Sequence, residues 1–282
     1  MSDVAIRGTV EAADENLIVP TLIGPEAEMK ALAAKIRVDI SRFPIVDADS
    51  EAKAAELSVN ICRTGGAQAM MKGSLHTDEL MKVAMQRDTG LRTLRRISHV
   101  FVMDTPAYPR TLLITDAAIN IEPELEDKVH IVQNSIDLAH ALGIPEPKVA
   151  LLSAVETVSP KIKSTIDAAA LCKMADRGQI TGGILDGPLA FDTAVSAKAA
   201  KIKKLVSPVT GQADILVVPD LESGNMLAKQ LEYLGGAQLA GIVLGAKVPV
   251  ILTSRADSAE TRLTSCAVAV LLHYDAHPLE QS

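Results

Sequence analysis

Short apolar runs alternate along this chain with longer stretches whose apolar positions recur every three or four residues. The short runs predict strands at Leu17–Ile23, Gln68–Met71, Ser98–Met103, Thr111–Thr115, Lys148–Leu152, Gly182–Asp186, Asp214–Val218, Gly241–Leu244 and Val248–Leu252. Between them, helical spacing covers Glu51–Thr64, Glu126–Leu142, Ile166–Arg177 and Ser223–Leu234. Each of these ends on a glycine (Gly65, Gly143, Gly178 and Gly235), the residue that most readily takes the left-handed turn closing a helix. In Glu126–Leu142, Val129, Val132, Ile136 and Ala139 fall on one face. Strands alternating with helices predict an α/β fold with mostly parallel sheets. The strands are too many to sit naturally in one doubly wound sheet, so the pattern predicts two lobes. Breaks near Arg95-Arg96 and Gly245-Ala246 would make 1–95 plus 246–282 a discontinuous outer lobe and 96–245 an inserted one.

Composition narrows the function classes. The 282 residues are 48% hydrophobic but only 2% aromatic, so the core is built from Ala, Val, Ile and Leu. No apolar run reaches the roughly eighteen residues of a membrane span. A net charge of −7, no Trp and three Tyr exclude the basic field and stacking surface of a nucleic-acid binder. Cys62, Cys172 and Cys266 are isolated, with no C-x-x-C pair and no secretory leader pattern. They read as buried free thiols of a cytoplasmic protein. The histidines have neither H-E-x-x-H spacing nor cysteine partners, so no metal site is expected. Dinucleotide, P-loop and nucleophile-elbow motifs are all absent. Met70, Met71, Met81 and Met85 read as core.

Ligands in open α/β sheets bind beyond the C-terminal ends of strands. Four strand ends carry polar, glycine-bearing or hydroxyl-bearing turns: Lys72-Gly-Ser-Leu-His-Thr77, Asp186-Gly-Pro-Leu-Ala-Phe-Asp192, Pro219-Asp-Leu-Glu-Ser-Gly-Asn225 and Thr253-Ser-Arg255. The last is the most informative. A strand stops at Thr253, and a helix opens with Asp257 at a plausible N-cap and Glu260 three residues later. Ser254 and Arg255 therefore stand beside unpaired amides and a positive dipole end, where an anion is favoured.

Three segments, Ile184–Ala194, Val218–Lys229 and Val250–Ser258, together resemble the phosphate acetyltransferase/phosphate butyryltransferase family, in the same order along the chain. Met71–Leu80, Arg95–Met103 and Asp167–Gly178 look most like the transacylase module often fused behind an enoyl-CoA hydratase domain. The resemblance implies two α/β lobes of isocitrate/isopropylmalate dehydrogenase type with an active-site cleft between them. It implies reversible acyl transfer between CoA and inorganic phosphate, by direct attack in a ternary complex. CoA or acyl-CoA and phosphate are then substrates, with no permanently bound cofactor and no metal in the chemical step. A cytoplasmic homodimer or larger homo-oligomer is implied, with a hydratase domain or protein as a further partner. The sequence departs from the family in two places. Its N-terminus is short and carries no hydratase domain, so it reads as a stand-alone or trimmed version. An acid that follows the Ser-Arg pair in the acetyltransferase branch is replaced by Thr261.

The resemblance assigns Arg255 to phosphate through its planar fork. Ser254 would donate to the developing oxyanion or thiolate. Glu260 and Asp257 are candidate proton acceptors, Glu260 on condition that burial raises its pKa; both also read as helix-capping acids. Lys82 falls where the acetyltransferases tend to carry a second phosphate-binding Arg, and Lys72 with Ser74 could complete an anion nest. Asp186, Gly187, Asp220, Gly224 and Asn225 would shape the substrate site, Asp220 equally serving as a turn stabiliser. Lys198, Lys201, Lys203 and Lys204 form a basic run that could attract the CoA phosphates or merely face solvent. Phe191 and Met226 are candidates for the acyl pocket wall. Two alternatives stay open: a dehydrogenase of the same architecture, and a non-catalytic CoA- or acyl phosphate-binding module.

Overall fold

The computed structural model describes residues 1–253 and 257–276. The chain divides into two compact units, Met1–Arg95 with Ala240–Ser282, and Arg96–Leu239. The first unit begins with α1 (Asp3–Asp14), β1 (Leu22–Gly24), α2 (Glu26–Ile36), β2 (Ile45–Asp47), α3 (Glu51–Arg63), β3 (Met70–Met71) and α4 (Thr77–Ala84). The second holds β4 (Ser98–Asp104), β5 (Leu112–Thr115), α5 (Leu125–Ala141), β6 (Lys148–Leu152), α6 (Lys163–Asp176), β7 (Ile184–Leu189), α7 (Phe191–Val195), α8 (Ala197–Ile202), β8 (Ile215–Val217) and α9 (Leu221–Tyr233). β9 (Gln238–Leu244) carries the chain back to the first unit, which closes with β10 (Val250–Ile251) and α10 (Ala259–Ala276).

The fold is α/β with mostly parallel strands. In the second unit the strands run in the order β4-β5-β8-β6-β7, and only β4 is antiparallel to its neighbour. β5 and β8 are buried along their whole length, as strands covered on both faces must be. One face packs Phe101, Ile114, Ala150, Leu216 and Val218 into a common core. On α5 the predicted apolar face holds at Val132, Ile136 and Ala139, all fully buried, while Val129 is half-buried. A buried ion pair, Lys128 Nζ to Asp167 Oδ2 at 2.6 Å, ties α5 to α6.

In the first unit β3 and β10 are parallel, and β10 is antiparallel to β9. A separate parallel pair, β1 and β2, sits with α1 and α2 around Ile6, Met29, Ala33 and Ile40. β2 was not expected: two apolar residues behind Pro44 and ahead of Asp47-Ala-Asp49 give too short a window for a period to register. The strand expected over Leu17–Ile23 forms only from Leu22, because Pro20 has no amide to donate to a ladder.

β7 also departs from expectation. It runs on to Leu189, so Asp186 and Gly187 lie inside the strand and not in the turn beyond it. β7 is the edge of its sheet, where Pro188 is tolerated. A Cβ at Gly187 would lie 2.6 Å from Leu151 Cβ, 2.8 Å from Leu151 O and 3.2 Å from Ala168 Cβ. The missing side chain lets β7 lie close against β6, with α6 packed over them. Gly187→Ala is expected to lower stability by about 1–3 kcal/mol through overpacking, read from the urea midpoint. An unchanged midpoint would mean that Leu151 and Ala168 yield without cost.

Candidate active site

The parallel pairing of β3 with β10 sets two strand exits side by side: the Lys72 amide donates to Ile251 O at 3.0 Å. Beyond β3 come Lys72, Gly73 and Ser74, leading to α4; beyond β10 come Leu252 and Thr253, leading to α10. Ser254 and Arg255, the two residues on which the expected chemistry rests, lie outside the described residues.

Lys72 is 3% exposed, and its ammonium turns back toward the carbonyls of Gly73 at 3.5 Å and Leu75 at 3.4 Å. Thr253 is likewise buried. Asp257 is 5% exposed. Ser258 caps α10, its hydroxyl accepting from the Thr261 amide at 3.1 Å and lying 3.2 Å from the Thr261 hydroxyl. Both Asp and Ser are good N-caps, and the residue one step closer to the helix takes the position. Asp257 is buried, and its charge favours the charged form of Arg262. Glu260, on the first turn of α10, is exposed, so the burial that would fit it as a base is lacking. Lys82 lies on the exposed side of α4, whose buried residues are Leu80, Met81 and Ala84. Met85 is exposed, against the expectation of core.

Sequence reasoning missed Arg262. Its side chain is fully buried, and Nη1 donates to Lys72 O at 3.1 Å. Burial pushes the guanidinium pKa down, while Asp257 and then Cys266 push it up. On the same face of α10, Ser265 Oγ accepts from the Gly241 amide at 3.1 Å, and Cys266 Sγ lies 4.0 Å from Met71 Sδ. An Arg early in a helix reads from sequence as solvated; only its spacing to Ser265 and Cys266 hinted at an inward face.

In the second unit, Asp220, Gly224 and Asn225 gather at the C-terminal ends of β5 and β8. Asp220 is the N-cap of α9, Oδ1 accepting from the Ser223 amide and hydroxyl, both at 2.8 Å. A Cβ at Gly224 would meet Val218 Cγ2 at 2.7 Å and Asp116 O at 3.0 Å, so glycine here permits close helix packing. Asn225 Nδ2 donates to Ala117 O at 3.2 Å. A knot at the end of β5 was also missed. Asp116 accepts from the amides of Ala118, Ile119 and Asn120 and from Asn120 Nδ2, and Asn120 Oδ1 accepts from Arg96 Nε at 2.8 Å. Burial raises the Asp116 pKa, against the pull of those hydrogen bonds. An Asp directly after an apolar run, with Asn four residues on, is the Asx-type signal that could have revealed it. Asp186 Oδ1 accepts from its neighbour, the Gly187 amide. In the basic run, Lys203 is tied to Glu156 at 2.8 Å and Asp192 at 3.1 Å; Lys198, Lys201 and Lys204 are exposed. Phe191 and Met226 are both exposed. Among the described residues, no group of three or more His, Cys, Asp or Glu could hold a metal ion.

Residues 53–270 match the family described as "Phosphate acetyl/butaryl transferase", so the chain belongs to that family of acyltransferases. A phosphate acetyltransferase of Rhizobium meliloti is 61% identical over 269 residues, covering 95% of this chain and 85% of the relative. A phosphate butyryltransferase of Clostridium acetobutylicum is 44% identical, covering 96% and 90%. The crystal structure of a branched-chain phosphotransacylase from Enterococcus faecalis V583 superposes with a TM-score of 0.79 at 32% identity, covering 91% of this chain and 99% of that one.

None of the three cysteines is joined in a disulfide. Burial pushes the thiol pKa up to about 11 for Cys62, about 12 for Cys172 and about 11 for Cys266. At pH 8 only about one part in a thousand or less of each is thiolate, the reactive form. A disulfide reagent is therefore expected to label the native chain far more slowly than the urea-unfolded chain at the same pH. Rapid labelling of the native chain would contradict this burial.

Proposed function

We propose that this chain is a phosphate acyltransferase, moving an acetyl or butyryl group reversibly between CoA and inorganic phosphate. The observation that carries the reading is the family match over residues 53–270, which spans both strand exits of the first unit and the caps of the second. A hydroxyacid dehydrogenase and a non-catalytic binding module, left open by sequence alone, lose to that match.

In the forward direction a phosphate oxygen attacks the thioester carbonyl carbon. The tetrahedral oxyanion then collapses, the carbon–sulfur bond breaks and CoA thiolate leaves with the electron pair. Arg255 would hold the phosphate and Ser254 would donate to the oxyanion or the departing sulfur. In reverse the CoA thiol must lose its proton. Asp257, which is buried, is better sheltered for that task than the exposed Glu260. Holding phosphate and carbonyl together supplies most of the acceleration. Lys72, Ser74 and Lys82 would contribute positive charge and donors on the phosphate side, and Asp186, Gly187, Asp220, Gly224 and Asn225 would shape the other substrate surfaces, largely by holding backbone in place.

CoA and phosphate would act as substrates only, with no resident cofactor. Three free cysteines support a reducing, cytoplasmic setting. The described residues contain no helix long and apolar enough to cross a membrane. The family resemblance supports a homodimer or larger homo-oligomer, and the resemblance of Met71–Leu80, Arg95–Met103 and Asp167–Gly178 to the hydratase-linked branch supports association with an enoyl-CoA hydratase.

The test is phosphate-dependent release of CoA from acetyl-CoA and butyryl-CoA, followed with a thiol reagent, for wild type and Arg255→Ala. Arsenate in place of phosphate draws the reaction to completion, because acyl arsenates hydrolyse. Turnover is expected to require phosphate or arsenate and to fall by about 10²–10³-fold in the variant. CoA binding without turnover would sink the acyltransferase reading and favour the binding module.

A further inference from the structure

Arg262 has no part in the chemistry above, yet it is a fully buried charge on α10, the helix that follows β10. Burying a charge is unfavourable, and an apolar side chain of similar size often packs as stably. Its burial here therefore calls for a reason beyond packing. Its side chain is fully buried, so the part argued for it runs through its neighbours.

Those neighbours are the two strand exits. The Lys72 carbonyl takes the Arg262 hydrogen bond at 3.1 Å, while the Lys72 amide is fixed to Ile251 O at 3.0 Å. One residue is thus held from α10 on one side and from β10 on the other, and the Gly73-Ser74 turn starts from it. Asp257, buried ahead of α10, supplies the nearby negative charge. The aliphatic stem of Arg262 in turn has a fitted seat on α1. A Cβ at Gly8 would lie 3.0 Å from Arg262 Cβ and 3.1 Å from its Cδ, so α1 reaches the Arg262 stem only because residue 8 has no side chain. α1 lies outside the residues matched to the family, 53–270.

We propose that Arg262 is a positioning residue for acyl transfer, which sets the Lys72–Ser74 turn and the Asp257 carboxylate relative to each other, with Gly8 as the seat that holds it there. The inference rests on the acyltransferase reading.

The test uses the intact chain in the phosphate-dependent assay, with Arg262→Lys, Arg262→Met and Gly8→Ala. Each is compared with wild type in kcat, in KM for acyl-CoA and phosphate, in Tm, and in CoA affinity by calorimetry. Arg262→Lys keeps the charge but not the fork. It is expected to lower kcat roughly ten- to a hundredfold, with CoA affinity unchanged. Arg262→Met, which leaves Asp257 without that counter-charge, is expected to lose more. Gly8→Ala alters no charge and lies outside the site, and is expected to lower kcat by pushing on the Arg262 stem while Tm stays close to wild type.

A kcat that tracks only the folded fraction, or that stays at the wild-type value in Arg262→Lys and Gly8→Ala, overturns the proposal. If the Arg262 variants fail to fold, Gly8→Ala decides alone: a lower kcat at wild-type Tm supports it, an unchanged kcat overturns it. A wild-type chain without turnover on either acyl-CoA refutes the acyltransferase reading itself, and this inference with it.

Discussion

The first unit depends on a parallel pairing between two very short strands. Val250 pairs with Met70 and Ile251 with Met71, joining stretches from opposite ends of the chain. A ladder of this length cannot hold its own register by hydrogen bonds alone. The face of α10 supplies the rest: Arg262 reaches the carbonyl beyond β3, Ser265 takes an amide of β9, and Cys266 rests on Met71. Strand exits that would carry chemistry are thus positioned by a helix packed behind them.

The second unit solves a similar problem differently. Its parallel strands are longer, and their C-terminal ends are finished by backbone-directed side chains. Asp220 caps α9, Asn225 bonds the chain leaving β5, and Asp116 gathers three amides in one buried turn. The residues are polar because backbone donors and acceptors at these ends are no longer satisfied by a ladder. Such turns resemble ligand sites in sequence, since both require short polar side chains beside glycine.

That ambiguity explains what could be read from sequence and what could not. β6 was legible to the residue, and β4 to within one, because continuous apolar runs with abrupt ends leave little choice. Glycine marked the ends of α5 and α6, where Gly143 and Gly178 take positive φ. The α9 cap at Asp220 was legible as an alternative to binding. Asp186 and Gly187 were misplaced because a proline normally ends a strand, and only the edge position of β7 allows it to continue. Asp257 was misread as a cap because Ser258 competes for the same place. Arg262 was invisible because burial of a lone Arg depends on partners distant in sequence, Lys72 and Gly8. Thr261, standing where the acetyltransferase branch has an acid, uses its amide and hydroxyl at the Ser258 cap, so the departure from the family is a local structural one as well as a chemical one.

The buried cysteines have a consequence for a protein that handles CoA. Every forward turnover would liberate a free thiol, and oxidised CoA species readily exchange with protein thiolates to form mixed disulfides. Cys62 and Cys266 are buried, Cys172 is partly so, and burial keeps all three protonated. A chain arranged in this way resists being tagged by its own product when the cell's thiol pool turns oxidising, without giving up the small, soft side chains that fill its aliphatic core.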